Sequence, residues 1–581
     1  MGRLFASNTI LFYAALALCA LCQHFVYGVG VDQLATLIVD ASGKSSRPIP
    51  ATLFGIFFEE INHAGAGGIW AELVSNRGFE AGGPNTPSNI DPWSIIGSDS
   101  LIIVSTDRSS PFSRNEVALR MDVLCDKKGS NICPPGGVGI YNPGYWGMNI
   151  EQGKKYKGHG FRNELVSMLA DLKPQFIRFP GGSFVEGEWL RNAVRWRETI
   201  GPWEERPGHF GDVWMYWTDD GLGYFECLQD ILDSIEFARG DPNSTWGSVR
   251  AAMGHPEPFK LSYVAVGNED CGKKNYKGNY LKFYYAITDA YPDIQIISNC
   301  DGSSRPLDHP AHLYDFHIYT SANSMFSSAH QFDRTARINK GPKAFVSEYA
   351  VTGKDAGTGS LLAALAEGGF LIGLEKNSDV VEMASYAPLF VNSNDRSHSP
   401  VLAAYIFRNP RTCMGSTRGT FCNSGTLDLW LSNNFYNQHA YPWVKRQLEE
   451  QYYYLSSWHL KRLKKHSMVK VESRCHCLQF LAAVVNYGSN AMHLNISVNG
   501  LASNSISSSG SSKTVLTSAN VMDENSFQQP QKVVPVQSSL ENAGTQMDAL
   551  LPPYSFTAFD LNLRPAIYPG IFAWHDGKAH R

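Results

Sequence analysis

The sequence predicts an α/β chain built around a (β/α)8-type TIM barrel, and three observations carry that expectation. Short apolar runs end in polar or acidic residues, each run gives way to a helical pattern, and the alternation recurs from Thr52 to Phe390. Runs of that kind suit strands of a parallel sheet covered by helices on its outer face. In such a barrel the reactive groups sit at the carboxyl ends of the strands.

The elements follow in order. "TLFGIFFEEINHAG" (Thr52–Gly65) supplies the first strand and ends in Glu59 and Glu60, and "FIRFPGGSFVEG" (Phe176–Gly187) supplies the second after a helix over Arg162–Leu172. "SYVAVGNED", "IQIISNCDGSS", "YDFHIYTSA", "KAFVSEYAVTG" and "VVEMASYAPLF" supply five more, separated by helical stretches such as "NYLKFYYAITDAYP" and "TGSLLAALAEGGFLIGLEKN". That makes seven strands, where a closed ring of this type needs eight. Gly221–Arg239 reads as one helix with no apolar run before the next helix, so the missing βα unit is the third.

A chain of 581 residues with 43% apolar and 18% charged residues is an ordinary globular protein of two or three domains. A net charge of -4 gives no electrostatic footprint for nucleic acid. Arg3 followed by the apolar Ile10–Cys22 and small residues near Gly28 has the grammar of a secretory signal over residues 1–28, with a retained anchor as the alternative. No later segment is apolar enough to span a bilayer. Export implies an oxidising compartment, which makes Cys125 and Cys133 a plausible disulfide and Asn243 and Asn495 candidate glycosylation sites. Loss of Cys19 and Cys22 with the signal leaves an odd number of the 11 cysteines.

Two strand tips carry the strongest chemistry, Glu269 in "VAVGNEDCG" and Glu348 in "FVSEYA". A carboxylate closing an apolar strand is costly unless paired, hydrogen-bonded or open to a cleft. Two of them facing across a barrel mouth, one holding a proton and one ionised, are what retaining glycoside hydrolysis requires. An ion pair with Arg178 is the structural alternative. Cys475 and Cys477 lack the second half of a metal site, and the glycines of "PGGSFVEGE" lack the Lys and Ser/Thr of a phosphate loop.

The strings "FGIFFEEINHAGAGGIWAELVSNRGFEAGG", "IRFPGGSFVEGEWLRNAVRWRETIGPWEERPGHFGDVW", "VAVGNEDCG" and "KAFVSEYA" resemble the α-L-arabinofuranosidases of glycoside hydrolase family 51, most closely the secreted plant type. The resemblance implies Glu269 as general acid/base and Glu348 as nucleophile. It implies Asn268 on the sugar 2-hydroxyl, Arg178 holding the nucleophile ionised, and His317 and Tyr319 orienting the nucleophile and lining the sugar subsite. Glu59 would grip arabinose hydroxyls and Trp196 would wall the subsite. No metal or cofactor is implied. The implied partners are arabinose-containing polysaccharides (arabinoxylan, arabinan or arabinogalactan), met outside the cell or in its wall. A β-xylosidase of the same architecture and a truncated, catalytically impaired chain are the alternatives.

The chain departs from that family in the third βα unit, in a partial β-sandwich insertion over residues 84–157, and in a divergent segment over 396–468. Ser183 stands where plant relatives carry Cys. Around these lie an N-terminal segment with the first strand (29–83), the catalytic barrel (158–395), a C-terminal antiparallel β-sandwich (469–565) and a tail (566–581).

Overall fold

The structure is a computed structural model. It describes residues 33–41, 46–61, 63–70, 72, 74–81, 90–109, 117–125, 132–142, 161, 163–202, 205–219, 230–335, 341–357, 359–389, 391–392, 406–407, 452–455, 459–460, 462–463, 478–525, 529 and 531–564. The signal segment, the helical reading of residues 221–229, most of the divergent segment and the tail lie outside the described residues.

Seven parallel strands form one curled sheet: β1 (Phe54–Phe57), β2 (Ile177–Arg178), β3 (Tyr263–Val266), β4 (Gln295–Ser298), β5 (Leu313–Thr320), β6 (Lys343–Val351) and β7 (Val381–Ser385). Their order across the sheet is β3-β4-β5-β6-β7-β1-β2. The ring therefore closes where the last strand meets the first, with Ala384 beside Phe54, and stays open between β2 and β3. That opening is the place of the missing third unit. Burial follows from it. Along β6, in the middle of the sheet, eight of nine residues are buried, whereas three of the four residues of edge strand β3 are only half-buried. Ile177, on the other edge, is 58% exposed.

Among the described residues, the helices longer than one turn are α1 (Asn163–Asp171), α2 (Asp230–Arg239), α3 (Thr245–Ala252), α4 (Tyr276–Ala290), α5 (Ala322–Ser327) and α6 (Leu361–Lys376). Helix α6 begins at Ser360, whose Oγ accepts from Ala363 N at 3.2 Å, which satisfies one of the orphan donors of the first turn. It is apolar nearly all round, the signature of a helix buried on every side. One side joins Phe316, Val346 and Tyr349 in the main core. Its first turn packs Leu361 and Leu365 on Val533, with Val485, Leu516 and Phe556 of the C-terminal domain beside them.

That C-terminal domain is a sandwich of a three-stranded and a five-stranded sheet, with Ile496, Leu551, Phe559 and Leu561 wholly buried between them. One strand comes from the other end of the chain. Gln33–Asp40 pairs parallel with Met492–Asn499 over eight residues, so the sandwich is not purely antiparallel and the N-terminal segment belongs in part to it. Burial alternates along "QLATLIVD", with Val39 buried and Leu34 and Ile38 exposed, and such a pattern specifies a face and not a neighbour. The insertion shows two separate two-stranded antiparallel sheets, Ser94–Ile96 with Gly139–Tyr141 and Ile102–Asp107 with Ala118–Val123. Ile95, Ile103, Met121 and Val123 are exposed there, and the Cys125–Cys133 bridge closes the adjoining loop.

Candidate active site

Because every barrel strand runs the same way, all seven carboxyl ends open on one face. Glu59 lies two residues past β1, Arg178 closes β2, Asn268 and Glu269 follow β3, and Glu348 lies within β6. On β5, Asp315, His317 and Tyr319 alternate along one face. The parallel ladder sets His317 directly beside Glu348.

These groups form one connected network. Arg178 Nη1 donates to Glu348 Oε1 at 2.7 Å and Nη2 donates to Asn268 Oδ1 at 2.7 Å. Tyr319 Oη donates to Glu348 Oε2 at 2.7 Å. His317 Nδ1 lies 2.8 Å from Glu269 Oε1 and 3.5 Å from Glu348 Oε2, while its Nε2 meets Asp315 Oδ2 at 3.1 Å and Ser347 Oγ at 2.8 Å. One carboxylate oxygen of Glu269, one of Glu348 and a ring nitrogen of His317 all fall within 4.8 Å of one another. The two acids differ in setting, since the Glu348 side chain is 7% exposed and that of Glu269 is 52% exposed.

The glycines explain how Glu59 and Glu269 reach this position. A Cβ on Gly182 would strike the Glu59 carboxylate, so that glycine leaves the space Glu59 occupies. Gly267 has φ 89° and Glu269 φ 53°, which turns the chain back over the end of β3. Left-handed backbone at a glutamate is uncommon and is held by its surroundings.

Burial opposes charge on Arg178, yet Glu348, Asp315 and Glu59 outweigh it and raise its proton affinity. His317 behaves alike. Burial works against its charge, but the bonds to Asp315 and Glu269 lift it to about 10. It is therefore an imidazolium at neutral pH, donating from both nitrogens. Glu269, His317 and Glu348 have metal-ligand spacing, and their atoms are engaged in hydrogen bonds to one another, to Arg178 and to Tyr319.

Two sequence expectations need correction. A raised proton affinity is expected on one of the paired acids. In the free site the His317 hydrogen bond instead pulls Glu269 below the usual carboxylate range, and the raised acid is Glu59, which burial and the Glu348 charge push up to about 7. Trp196 is not brought to the site. It is wholly buried against Trp246 at 4.8 Å and Phe237 at 5.9 Å, and offers a sugar no surface. Glu60, adjacent to Glu59, accepts from Gly65 N at 2.6 Å and Tyr216 Oη at 3.0 Å and is part of the scaffold.

The sequence reading also missed partners. Asp315 sits two residues before His317 in a strand, which alternation alone could have flagged. Ser183 Oγ accepts from Asn268 Nδ2 at 3.3 Å, so the Cys-to-Ser departure touches the site. The disulfide Cys271–Cys300 had no local signal at a separation of 29 residues.

Comparison with known proteins agrees with this architecture. The family described as "Alpha-L-arabinofuranosidase 1 domain" matches residues 168–231 and again 225–337, and "Alpha-L-arabinofuranosidase C-terminal domain" matches 347–555. The first match breaks at the opening of the ring. The chain is 53% identical to Alpha-L-arabinofuranosidase 1 of Arabidopsis thaliana over 646 aligned positions, covering 90% of this chain and 91% of the relative. It is 49% identical to Alpha-L-arabinofuranosidase 2 of the same plant over 647 positions, covering 91% of each. Since 90% of 581 residues fills far fewer than 646 positions, more than a hundred positions of the first relative face gaps here. Among solved structures, an arabinose-bound MgGH51 α-L-arabinofuranosidase superimposes with a TM-score of 0.68 at 21% identity, covering 91% of this chain and 100% of that one. The Thermotoga maritima α-L-arabinofuranosidase arabinose complex does so with 0.57 at 17%, covering 90% and 99%. The chain belongs to the α-L-arabinofuranosidases of glycoside hydrolase family 51.

Proposed function

We propose that this glycosidase removes non-reducing terminal α-L-arabinofuranosyl residues from arabinoxylan, arabinan or arabinogalactan with retention of configuration. Glu348 attacks the anomeric carbon, and Glu269 protonates the departing oxygen and later activates water. The observation that carries this reading is the approach of the two carboxylates to within 4.8 Å. That suits the separation of about 5–5.5 Å used by retaining enzymes, not the wider gap that admits a water in inverting ones.

The surroundings support the division of labour. Glu348 receives Arg178 and Tyr319, one on each oxygen, which fixes the orientation of its carboxylate. Glu269 is half open to solvent on the side from which a leaving group departs. A glycosidic oxygen settling there displaces water, and desolvation raises the proton affinity that His317 holds down in the free site. Asn268, fixed by Arg178, presents its amide to the 2-hydroxyl, and Glu59, whose proton affinity is raised to about 7, grips the remaining hydroxyls. We place the protein outside the cell after loss of residues 1–28. Two disulfides and an exposed Asn243 sequon support that placement.

The test is hydrolysis of 4-nitrophenyl α-L-arabinofuranoside by the purified chain beside Glu348→Gln. Activity should fall by about 10⁴-fold or more in the variant, as expected for a lost nucleophile. Equal activity in the two, or turnover of the xyloside alone, rejects the reading.

A further inference from the structure

The general acid is carried by the least supported strand of the barrel. In the sheet, among the described residues, β3 hydrogen-bonds to β4 alone, because its other neighbour would be the missing unit. Glu269 lies three residues beyond that strand, past left-handed Gly267, and is itself left-handed. By contrast, Glu348 lies inside a buried strand bonded on both sides, to β5 and to β7. The two acids are held by different means.

Apart from the bonds of Asn268 to Arg178 and of Glu269 to His317 within the site, the described ties from this loop to another strand end on the tip of β4. Cys271 is joined to Cys300 covalently. Asp270 accepts a short hydrogen bond from Asn299 Nδ2. Tyr276, at the start of α4, donates from Oη to Val266 O at 3.2 Å and accepts from Asn299 N at 3.1 Å. The β4 tip is a firm anchor, since Ile296 and Ser298 are wholly buried and β4 has a neighbour on each side. Val266 is thus pinned on one side of Glu269 and Cys271 on the other.

We propose that the Cys271–Cys300 bridge and Tyr276 are positioning residues for Glu269, replacing the restraint that a flanking strand would provide. The inference rests on the reading of Glu269 as general acid/base. It requires that loosening the clamp impair proton donation while leaving nucleophilic attack intact.

Leaving-group dependence separates these steps. The 2,4-dinitrophenyl α-L-arabinofuranoside departs without a proton, whereas the phenyl glycoside needs one. In the Cys271→Ser/Cys300→Ser double variant, kcat/KM on the phenyl glycoside should fall roughly tenfold to a hundredfold, the scale of a misplaced general acid. On the dinitrophenyl glycoside it should change by less than about twofold, because attack by Glu348 is untouched. The ratio comes from one preparation, so a smaller folded fraction cancels. Tyr276→Phe should shift the ratio in the same direction.

If the double variant does not fold, the same ratio is read on Cys125→Ser/Cys133→Ser protein before and after a phosphine reduces Cys271–Cys300, the other bridge among the described residues. One disulfide then gives two thiols as phosphine and water give phosphine oxide. Equal loss on both substrates, or no change in the ratio, overturns the clamp. Glu269→Ala is the control: if it shows no leaving-group dependence, the acid/base assignment fails instead.

Discussion

Glu59 and Glu60 are adjacent in sequence and have different duties. Glu60 is consumed by Gly65 and Tyr216, while Glu59 faces Arg178 and Glu348 across the site with a proton affinity raised to about 7. Nothing in "FFEEIN" distinguishes them, because hydrogen-bond partners 156 residues away decide the matter. His317 is similar in that its charge depends on Asp315 and Glu269 around it. Replacing His317 with Ala removes the hydrogen bond and the positive charge that hold Glu269 low, so the proton affinity of Glu269 rises. The alkaline limb of the kcat/KM profile should move to higher pH by about one unit or more, and a pH–rate series with an unmoved limb would contradict that role. Trp196 invites the opposite kind of test. Trp196→Ala should cost about 3–5 kcal/mol of stability as a buried aromatic, read by denaturant unfolding, with KM for the aryl glycoside unchanged. A raised KM at unchanged stability would restore it to the sugar subsite.

Among the elements, α6 shows how a pattern can be legible and still hide a cost. Its apolar run predicts a buried helix, and the helix is there, capped by Ser360. The same run contains Glu367 and Glu375. Glu367 accepts from Val351 N at 2.7 Å and from Tyr386 Oη. Glu375 is buried with Oε1 unpartnered among the described residues, and burial pushes it up to about 8. Its contribution to stability is fully present below the ordinary value near 4.5 and is lost as pH rises from there through about 8, because over that range the unfolded chain ionises while the folded one holds its proton. Glu375→Gln should therefore raise Tm at pH 8 by several degrees, on the order of a few kcal/mol, and leave it unchanged at pH 4. Thermal scans at the two pH values decide it, and an equal shift at both would contradict the account. Strands were readable at this scale because their apolar runs are uninterrupted. The parallel pairing of Gln33–Asp40 with Met492–Asn499 was not, since nothing local names a partner more than 450 residues away.

For the whole molecule, the count of seven strands in the sequence corresponds to a ring open at one seam, and the seam lies beside the strand that delivers Glu269. The two acids are supported by different strands, one by a central strand and one by ties to β4, and they meet through His317. Most site residues could be named from the family resemblance, and parallel strands bring their carboxyl ends to one face whatever their distance along the chain. The proton inventory could not, because it depends on which carboxylate His317 touches. The most direct test of the central claim is proton NMR of the first sugar released from an aryl α-L-arabinofuranoside. Double displacement by Glu348 and Glu269 predicts that α-L-arabinofuranose forms first and then mutarotates. First appearance of the β-anomer would mean single displacement by water and would contradict the paired roles assigned to these two acids.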